Sequence, residues 1–362
     1  MRREEEAFSI QHETEKRMPA EWERQEAAIL TWPHEATDWK DMLGEITDTY
    51  SKLAMEIAKR ERLIIVAPDR KPIIAAMERR IKKEEESNPD GIMGNIRIAE
   101  ILSNDTWTRD HGPITLLDKS GKRIFLDFKF NGWGEKYEWN LDNSITKKLY
   151  YSGTISGSYE DHQDMVLEGG SIESDGKGTI ITTSSCLLAP KRNQPMDKEE
   201  IDIQLRRRLG AKRIIWIKSG QIIGDDTDGH IDTLARMAPN DTILYMGTDN
   251  TDRLQYEGLR EMEKQLREIL TLDRHHYRLL RLPMPDPITY KGERLPATYA
   301  NFLAINGAII YPTYNQKTKD LEAGRIIGEA FPGREIIGVE ALNIIRQRGS
   351  IHCCSMTIAK GD

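Results

Sequence analysis

Two stretches far apart in the chain carry groups from which covalent hydrolytic chemistry is built. Near the C-terminus, Gly349-Ser350-Ile351-His352-Cys353-Cys354-Ser355-Met356-Thr357 offers a thiol, and Gly224-Asp225-Asp226-Thr227-Asp228-Gly229-His230-Ile231-Asp232 offers an imidazole among carboxylates. A thiolate attacks an electrophilic carbon, and an imidazole moves the protons that attack requires. Read as strands, the two stretches sort their side chains by period two. His230 and Asp232 then share one face while Ile231 points away. Cys353 shares its face with polar Ser355, whereas Cys354 lines up with Met356 and Ile358. Cys353 is therefore predicted to be the pocket thiol and Cys354 to pack. Cys186, inside the apolar run Ile180–Leu188, reads as a small core residue.

A free thiol ionises near pKa ~8.5, so something positive must approach Cys353. Asp110, Asp232 and Glu168 would repel one another unless a cation lay among them. A planar guanidinium meets both needs, because carboxylates hold its paired N–H donors while its central carbon stays open to sulfur. His230 would protonate the departing ammonia and then activate the water that frees the enzyme. The chemistry is hydrolytic deimination, and it requires no metal or other cofactor. Two rival classes use the same residues. Asp228-Gly229-His230-Ile231-Asp232 has the Asp-x-His-x-Asp spacing of dinuclear manganese ureohydrolases, although their Gly-Gly-Asp-His segment is absent: Glu168-Gly169-Gly170-Ser171 lacks the ligands. A non-catalytic guanidine- or polyamine-binding protein would keep the acidic cage and have no need of Cys353.

Strands and helices must bring these segments together. Amphipathic helices are predicted over Met42–Ala58, from Pro72, from Asp197 (capping box with Glu200) to Gly210, over Asp252–Leu270, and around Lys319–Ala330 and Glu340–Arg346. Asn88-Pro89-Asp90-Gly91 reads as a turn. Apolar strands alternate with the helices, which gives an α/β class. Polar clusters repeatedly lead straight into a strand. Arg109 to Pro113 precedes Ile114–Leu117, Glu168 to Ser171 precedes Ile172, and Asp228 to Asp232 precedes Thr233–Met237. Thr298 to Asn301 precedes Phe302, and Gly349 to Cys353 precedes Cys354–Ala359. Such recurrence fits repeated modules around one axis, with every cluster delivered to a central pocket.

With 362 residues, 38% hydrophobic and 31% charged, the chain can bury a sizeable core. A net charge of -7 argues against nucleic acid or an anionic membrane as partner and suits a small cationic ligand. Three cysteines, two of them adjacent, imply no disulfide framework. The charged start Met1-Arg2-Arg3-Glu4-Glu5-Glu6 leads into no apolar run of signal length, so a cytoplasmic location is expected. Residues 1–17 read as a polar extension and 18–362 as one catalytic domain. Assembly into a homo-oligomer is left open.

These motifs together resemble the bacterial agmatine deiminases of the guanidine-modifying superfamily. The resemblance rests on Met18-Pro19-Ala20-Glu21-Trp22-Glu23, Trp32-Pro33-His34, Asn104 to Asp110, Phe130-Asn131-Gly132-Trp133-Gly134, Leu167 to Glu173, Gly224 to Asp232 and Ile351-His352-Cys353. It implies a fivefold pseudosymmetric α/β propeller with a central pocket, and agmatine as substrate. It also implies Cys353 as nucleophile, His230 as acid and base, Asp110 and Asp232 on the guanidinium, and Glu168 in support. Trp107 and Asp226 would line the channel, Asp226 facing the distal ammonium. His111 would stand at the pocket rim. Arginine deiminase is the nearest rival, with Arg109 and Arg236 as candidates for holding a substrate carboxylate.

Overall fold

The computed structural model describes residues 16–248 and 253–362. Among these residues, five sheets share one design, an antiparallel pair of strands with a third strand parallel to the middle one. The first blade is Ile114–Asp118, Arg123–Lys129 and Ser158–Val166; the second is Ile172–Ser174, Thr179–Thr183 and Arg213–Ile217. Ala235–Ala238, Thr242–Met246 and Arg278–Leu282 form the third, and Leu303–Ile305, Ala308–Thr313 and Glu335–Glu340 the fourth. The fifth joins both chain ends. Ser355–Ala359 pairs antiparallel with Gln25–Thr31, which runs parallel to Arg62–Ala67, and Ile96–Glu100 adds an outer strand. The fold is thus a fivefold α/β propeller.

Parallel pairing requires a crossover long enough to return the chain, and helices supply it. Ile145–Tyr151, Lys198–Leu209, Arg253–Glu268, Lys317–Ala330 and Leu43–Ala58 serve the five blades in turn. Central strands such as Ala27-Ala28-Ile29-Leu30 are apolar on both sides because both faces are covered. On Leu43–Ala58 the expected stripe is buried at Ile46, Tyr50, Leu53 and Ile57. The capping box at Asp197 and Glu200 forms, and Gly210 ends that helix in the left-handed region at φ 64°. Among the described residues, no helix is long and apolar enough to cross a membrane.

Several expectations fail for local reasons. Asn88 accepts a hydrogen bond from Gly91 and caps a short helix, Pro89–Gly94, where a turn was expected. Glu340–Arg346 is not a helix: its start ends a strand, and only Ile344–Gln347 turns, as 3-10. The strand expected to run to Leu188 stops at Thr183, whose side chain caps a helical turn at Ser184–Leu187. Lys16 and Arg17, assigned to the polar extension, pair with Asp118 and Leu117 on the edge of the first blade. The rest of that extension, residues 1–15, lies outside the described residues, as does Asp252 at the expected start of its helix.

Candidate active site

The polar segments that lead into the blades are tied together around one axis. The Arg109 N–H donates to the Cys353 carbonyl at 3.1 Å, and the Gly170 N–H donates to Asp110 Oδ1 at 3.0 Å. Thr183 Oγ1 donates to the Gly229 carbonyl at 2.6 Å, and Thr298 Oγ1 to the Thr233 carbonyl at 2.7 Å. The N–H groups of His352 and Cys353 both donate to Asn301 Oδ1, at 3.0 and 3.2 Å, which closes the ring. A cleft of about 540 Å³ opens onto this centre. Asp38, Asp105, Asp110 and Asp226 line it with the indoles of Trp107 and Trp133, and Cys353 is in its wall.

Cys353 lies in a turn, Ile351–Cys354, and the strand begins only at Ser355. Period-two alternation therefore does not apply to the two thiols, yet the turn separates them as expected. Cys353 is 5% exposed and reaches the cleft, whereas Cys354 is fully buried beside Tyr50, where burial pushes its thiol up to about 12. Cys353 Sγ is 3.4 Å from Asn301 Oδ1 and 3.9 Å from Asp232 Oδ2. Burial, then the charges of Asp232 and Asp110, hold this thiol well above its ordinary pKa. The resting sulfur is protonated until positive charge arrives.

His230 and Asp232 also come from a turn, since Ile231–Thr233 is 3-10 rather than strand. They nevertheless converge. His230 Nδ1 is 3.7 Å from Asp110 Oδ1, and Nε2 is 3.7 Å from Glu168 Oε2, both too long for hydrogen bonds. The ring is buried with neither nitrogen partnered, an arrangement that a reacting group or water must complete. Burial works to lower its pKa, but the negative charge of Asp110, with Cys186 and Glu168 behind it, carries the group well above the ordinary value. His230 is an acid at rest. A Cβ on Gly170 would lie 2.6 Å from His230 Nδ1, 2.9 Å from Asp110 Oδ1 and 3.1 Å from Asp232 Oδ2. The bare glycine thus gives these groups the space in which to meet, a role visible in the sequence only as the pair Gly169-Gly170.

Each carboxylate has its own support. Asp110 Oδ2 accepts from Trp133 Nε1 at 2.9 Å, while burial raises its pKa. Asp232 Oδ2 meets His352 Nδ1 at 2.7 Å, and its Oδ1 is buried without a partner. Glu168 receives Arg192 Nε at 3.0 and 3.2 Å. Burial opposes its ionisation, but Arg192 prevails and holds the carboxyl down at about 2. Arg192, unremarked in the sequence, also binds Asp228 Oδ2 at 2.7 Å. Asp228 therefore turns towards Arg192 and Lys136, and the Asp-x-His-x-Asp ligand set is not assembled. Cys186 is in the helical turn Ser184–Leu187, with Sγ 3.8 Å from Glu168 Oε2. It is a wall of the site and not simply core, as expected from its apolar run.

The channel residues divide. Trp107 lines the cleft as expected, its Nε1 donating to Asp105 Oδ2 at 3.0 Å. Asp226 lines it too, but already accepts from Tyr137 and lies 3.6 Å from Lys136 Nζ. Asp38 was missed because an isolated loop aspartate carries no pattern, and Asp105 was given no role although it lies within the Asn104 to Asp110 motif. Burial raises Asp105 to about 7. Arg109 and Arg236 turn away from the cleft and pair with Glu21 at 3.0 Å each. His111 is buried beside Phe130 and is not at the rim.

A family model of Porphyromonas-type peptidyl-arginine deiminases matches residues 17–358. The chain belongs to this family. Its members are deiminases, enzymes that act on C–N bonds of amidines. The agmatine deiminase of Medicago truncatula is 31% identical over 93% of this chain and 94% of its own. A cysteine-to-serine C. jejuni agmatine deiminase with substrate bound superposes with a TM-score of 0.83, at 35% identity, covering 96% of this chain and 97% of that one. A Porphyromonas gingivalis structure, named provisionally as an arginine deiminase, gives 0.88 at 41% identity, covering 96% and 99%. In this deiminase the pocket geometry makes two demands that can be checked. Gly170→Ala is expected to lower kcat/KM by at least about 100-fold, because it displaces the reacting groups, while the unfolding midpoint in urea moves little. Arg192→Met leaves Glu168 buried and unpaired, and is expected to cost about 3–5 kcal/mol in urea unfolding. Since Glu168 is depressed when folded, its stabilisation is full above its unfolded pKa of ~4.3 and is lost as pH falls from there towards 2. The destabilisation by Arg192→Met should accordingly shrink on acidification.

Proposed function

We propose that the protein hydrolyses agmatine to N-carbamoylputrescine and ammonia through a covalent amidino-thioether on Cys353. The observation that carries this reading is an acid-lined cleft with a protonated thiol beside Asp110 and Asp232 and, among the described residues, no free cation for a substrate carboxylate. Arg109 and Arg236 are committed to Glu21 behind the site, and Arg348, at the cleft edge, is held by Glu293 at 2.7 Å. Agmatine brings a guanidinium and a distal ammonium, and Asp226, Asp38 and Asp105 are placed to receive the second charge.

The steps follow from the charges. A guanidinium between Asp110 and Asp232 supplies the positive field that Cys353 lacks, and the thiol proton leaves to solvent. Sulfur attacks the guanidinium carbon. His230, an imidazolium at rest, protonates the departing amino group, and ammonia leaves an alkylated isothiouronium on Cys353. Neutral His230 then takes a proton from water as its oxygen attacks the same carbon. Collapse releases the ureido product and the sulfur, which regains its proton. Glu168, locked by Arg192, fixes the imidazole for both transfers. The substrate-bound relative with serine in place of cysteine accords with this assignment. Residues 18–362 would act as a single catalytic unit, and the free thiols Cys186, Cys353 and Cys354 suit a reducing cytoplasm.

Product analysis tests the proposal directly. Incubated with agmatine after EDTA treatment, the protein should release ammonia and a ureido product, and it should leave arginine untouched. Urea and putrescine, restored by manganese, would overturn the thiolate chemistry, and turnover of arginine alone would overturn the substrate. Cys353→Ala should lower activity by more than about 10,000-fold. Cys354→Ala should retain it.

A further inference from the structure

We propose that His352 is a positioning residue: its ring, clamped between Asp232 and Glu21, donates from both nitrogens and holds Asp232 in the orientation that receives the substrate guanidinium. This rests on the deiminase reading above and adds to it two residues outside the substrate cleft.

The geometry is specific. His352 Nδ1 is 2.7 Å from Asp232 Oδ2, and Nε2 is 2.7 Å from Glu21 Oε2. Ionised carboxylates only accept hydrogen bonds, and an imidazole can donate twice only as the imidazolium. Both carboxyls are held in the ionised form. Burial opposes this in each, but His352 lowers Asp232, and His352, Arg236 and Arg109 lower Glu21. With Oδ2 taken by His352 and 3.9 Å from Cys353 Sγ, Asp232 is left with Oδ1, which is buried and unpartnered. That is the oxygen available to a guanidinium N–H.

The far end of the clamp is fixed as firmly. Glu21 Oε1 accepts from the Ala304 N–H at 2.8 Å and from Arg236 Nη2 at 3.0 Å, and Oε2 lies 3.0 Å from Arg109 Nη2. Arg236 in turn binds Glu173 at 2.9 Å. The charged groups around His352 are therefore Asp232, Glu21 and Glu173 against Arg109 and Arg236. Glu21 and His352 border a pocket behind the site, and neither lines the cleft. The clamp thus acts on the substrate only through Asp232.

The test combines a spectroscopic reading of the wild type with pH profiles of two variants. In nitrogen-15 spectra of histidine-labelled protein, with His352 assigned through its loss in His352→Gln, both ring nitrogens should be protonated at neutral pH. A neutral tautomer would overturn the proposal, whatever the enzyme's substrate. In kcat/KM for agmatine, His352→Gln should cost about 100-fold and move the acidic limb to higher pH, because Asp232 loses its cation. Glu21→Gln should move the alkaline limb to lower pH, because the imidazolium loses one of its two anions. Uniform loss at every pH in both variants would show a merely structural role and overturn the proposal, while deimination itself would stand. If the wild type does not deiminate agmatine, the functional reading fails separately, and the spectra still decide the protonation of His352.

Discussion

The structure depends on how buried negative charge is kept ionised without being satisfied. Asp110, Asp232 and Glu168 surround His230 with almost no access to water, and carboxylates packed this closely raise one another's pKa. Two of the three are rescued by dedicated cations on the side away from the cleft, Glu168 by Arg192 and Asp232 by His352. Asp110 accepts from the N–H groups of Trp133 and Gly170 and lies 3.7 Å from His230 Nδ1, yet burial raises its pKa. Around Cys353, burial and the charges of Asp232 and Asp110 keep the sulfur a thiol. On the proposed reading, a cationic substrate offsets that negative field and switches on the nucleophile in the same event.

The propeller makes this deficit sustainable. Each blade contributes its leading loop to the centre, and hydrogen bonds link the loops in a ring that closes through Asn301, Cys353 and Arg109. The fifth blade joins the two ends of the chain, so the turn that carries Cys353 is anchored by a strand paired with Gln25–Thr31. The same closure carries Glu21 in behind the catalytic centre, where Arg109 and Arg236 hold it. Arginines next to site segments in sequence are therefore structural counter-charges, and the cleft keeps its acidic lining.

Much of this was legible in the residues, for identifiable reasons. The blade strands are runs of Ile, Leu and Val with helices between them, and the capping box at Asp197 and the glycine at 210 mark a helix by local chemistry alone. Cys353, His230, Asp110, Asp232 and Glu168 were legible because each sits in a polar cluster immediately before an apolar strand. Strand periodicity does not hold at Ile351–Cys354 or at Ile231–Thr233, which are turns. It still sorted Cys353 from Cys354, because a tight turn, like a strand, sends adjacent side chains apart. What stayed hidden depends on pairings between residues 18 or more apart in the chain. Arg192 reaches Glu168 and Asp228, Cys186 folds back onto Glu168, and Asn301 holds two backbone N–H groups at Cys353. No local pattern announces such partners.

The central claim is that a cation-bearing substrate turns the buried Cys353 thiol into a covalent nucleophile. The most direct measurement is peptide mapping by mass spectrometry after acid quenching of the enzyme during turnover of agmatine. An adduct with the mass of the agmatine amidine, carried by the Cys353 peptide and absent from Cys353→Ala, is the expected result. Turnover without any adduct, or an adduct on Cys186 or Cys354, would contradict it.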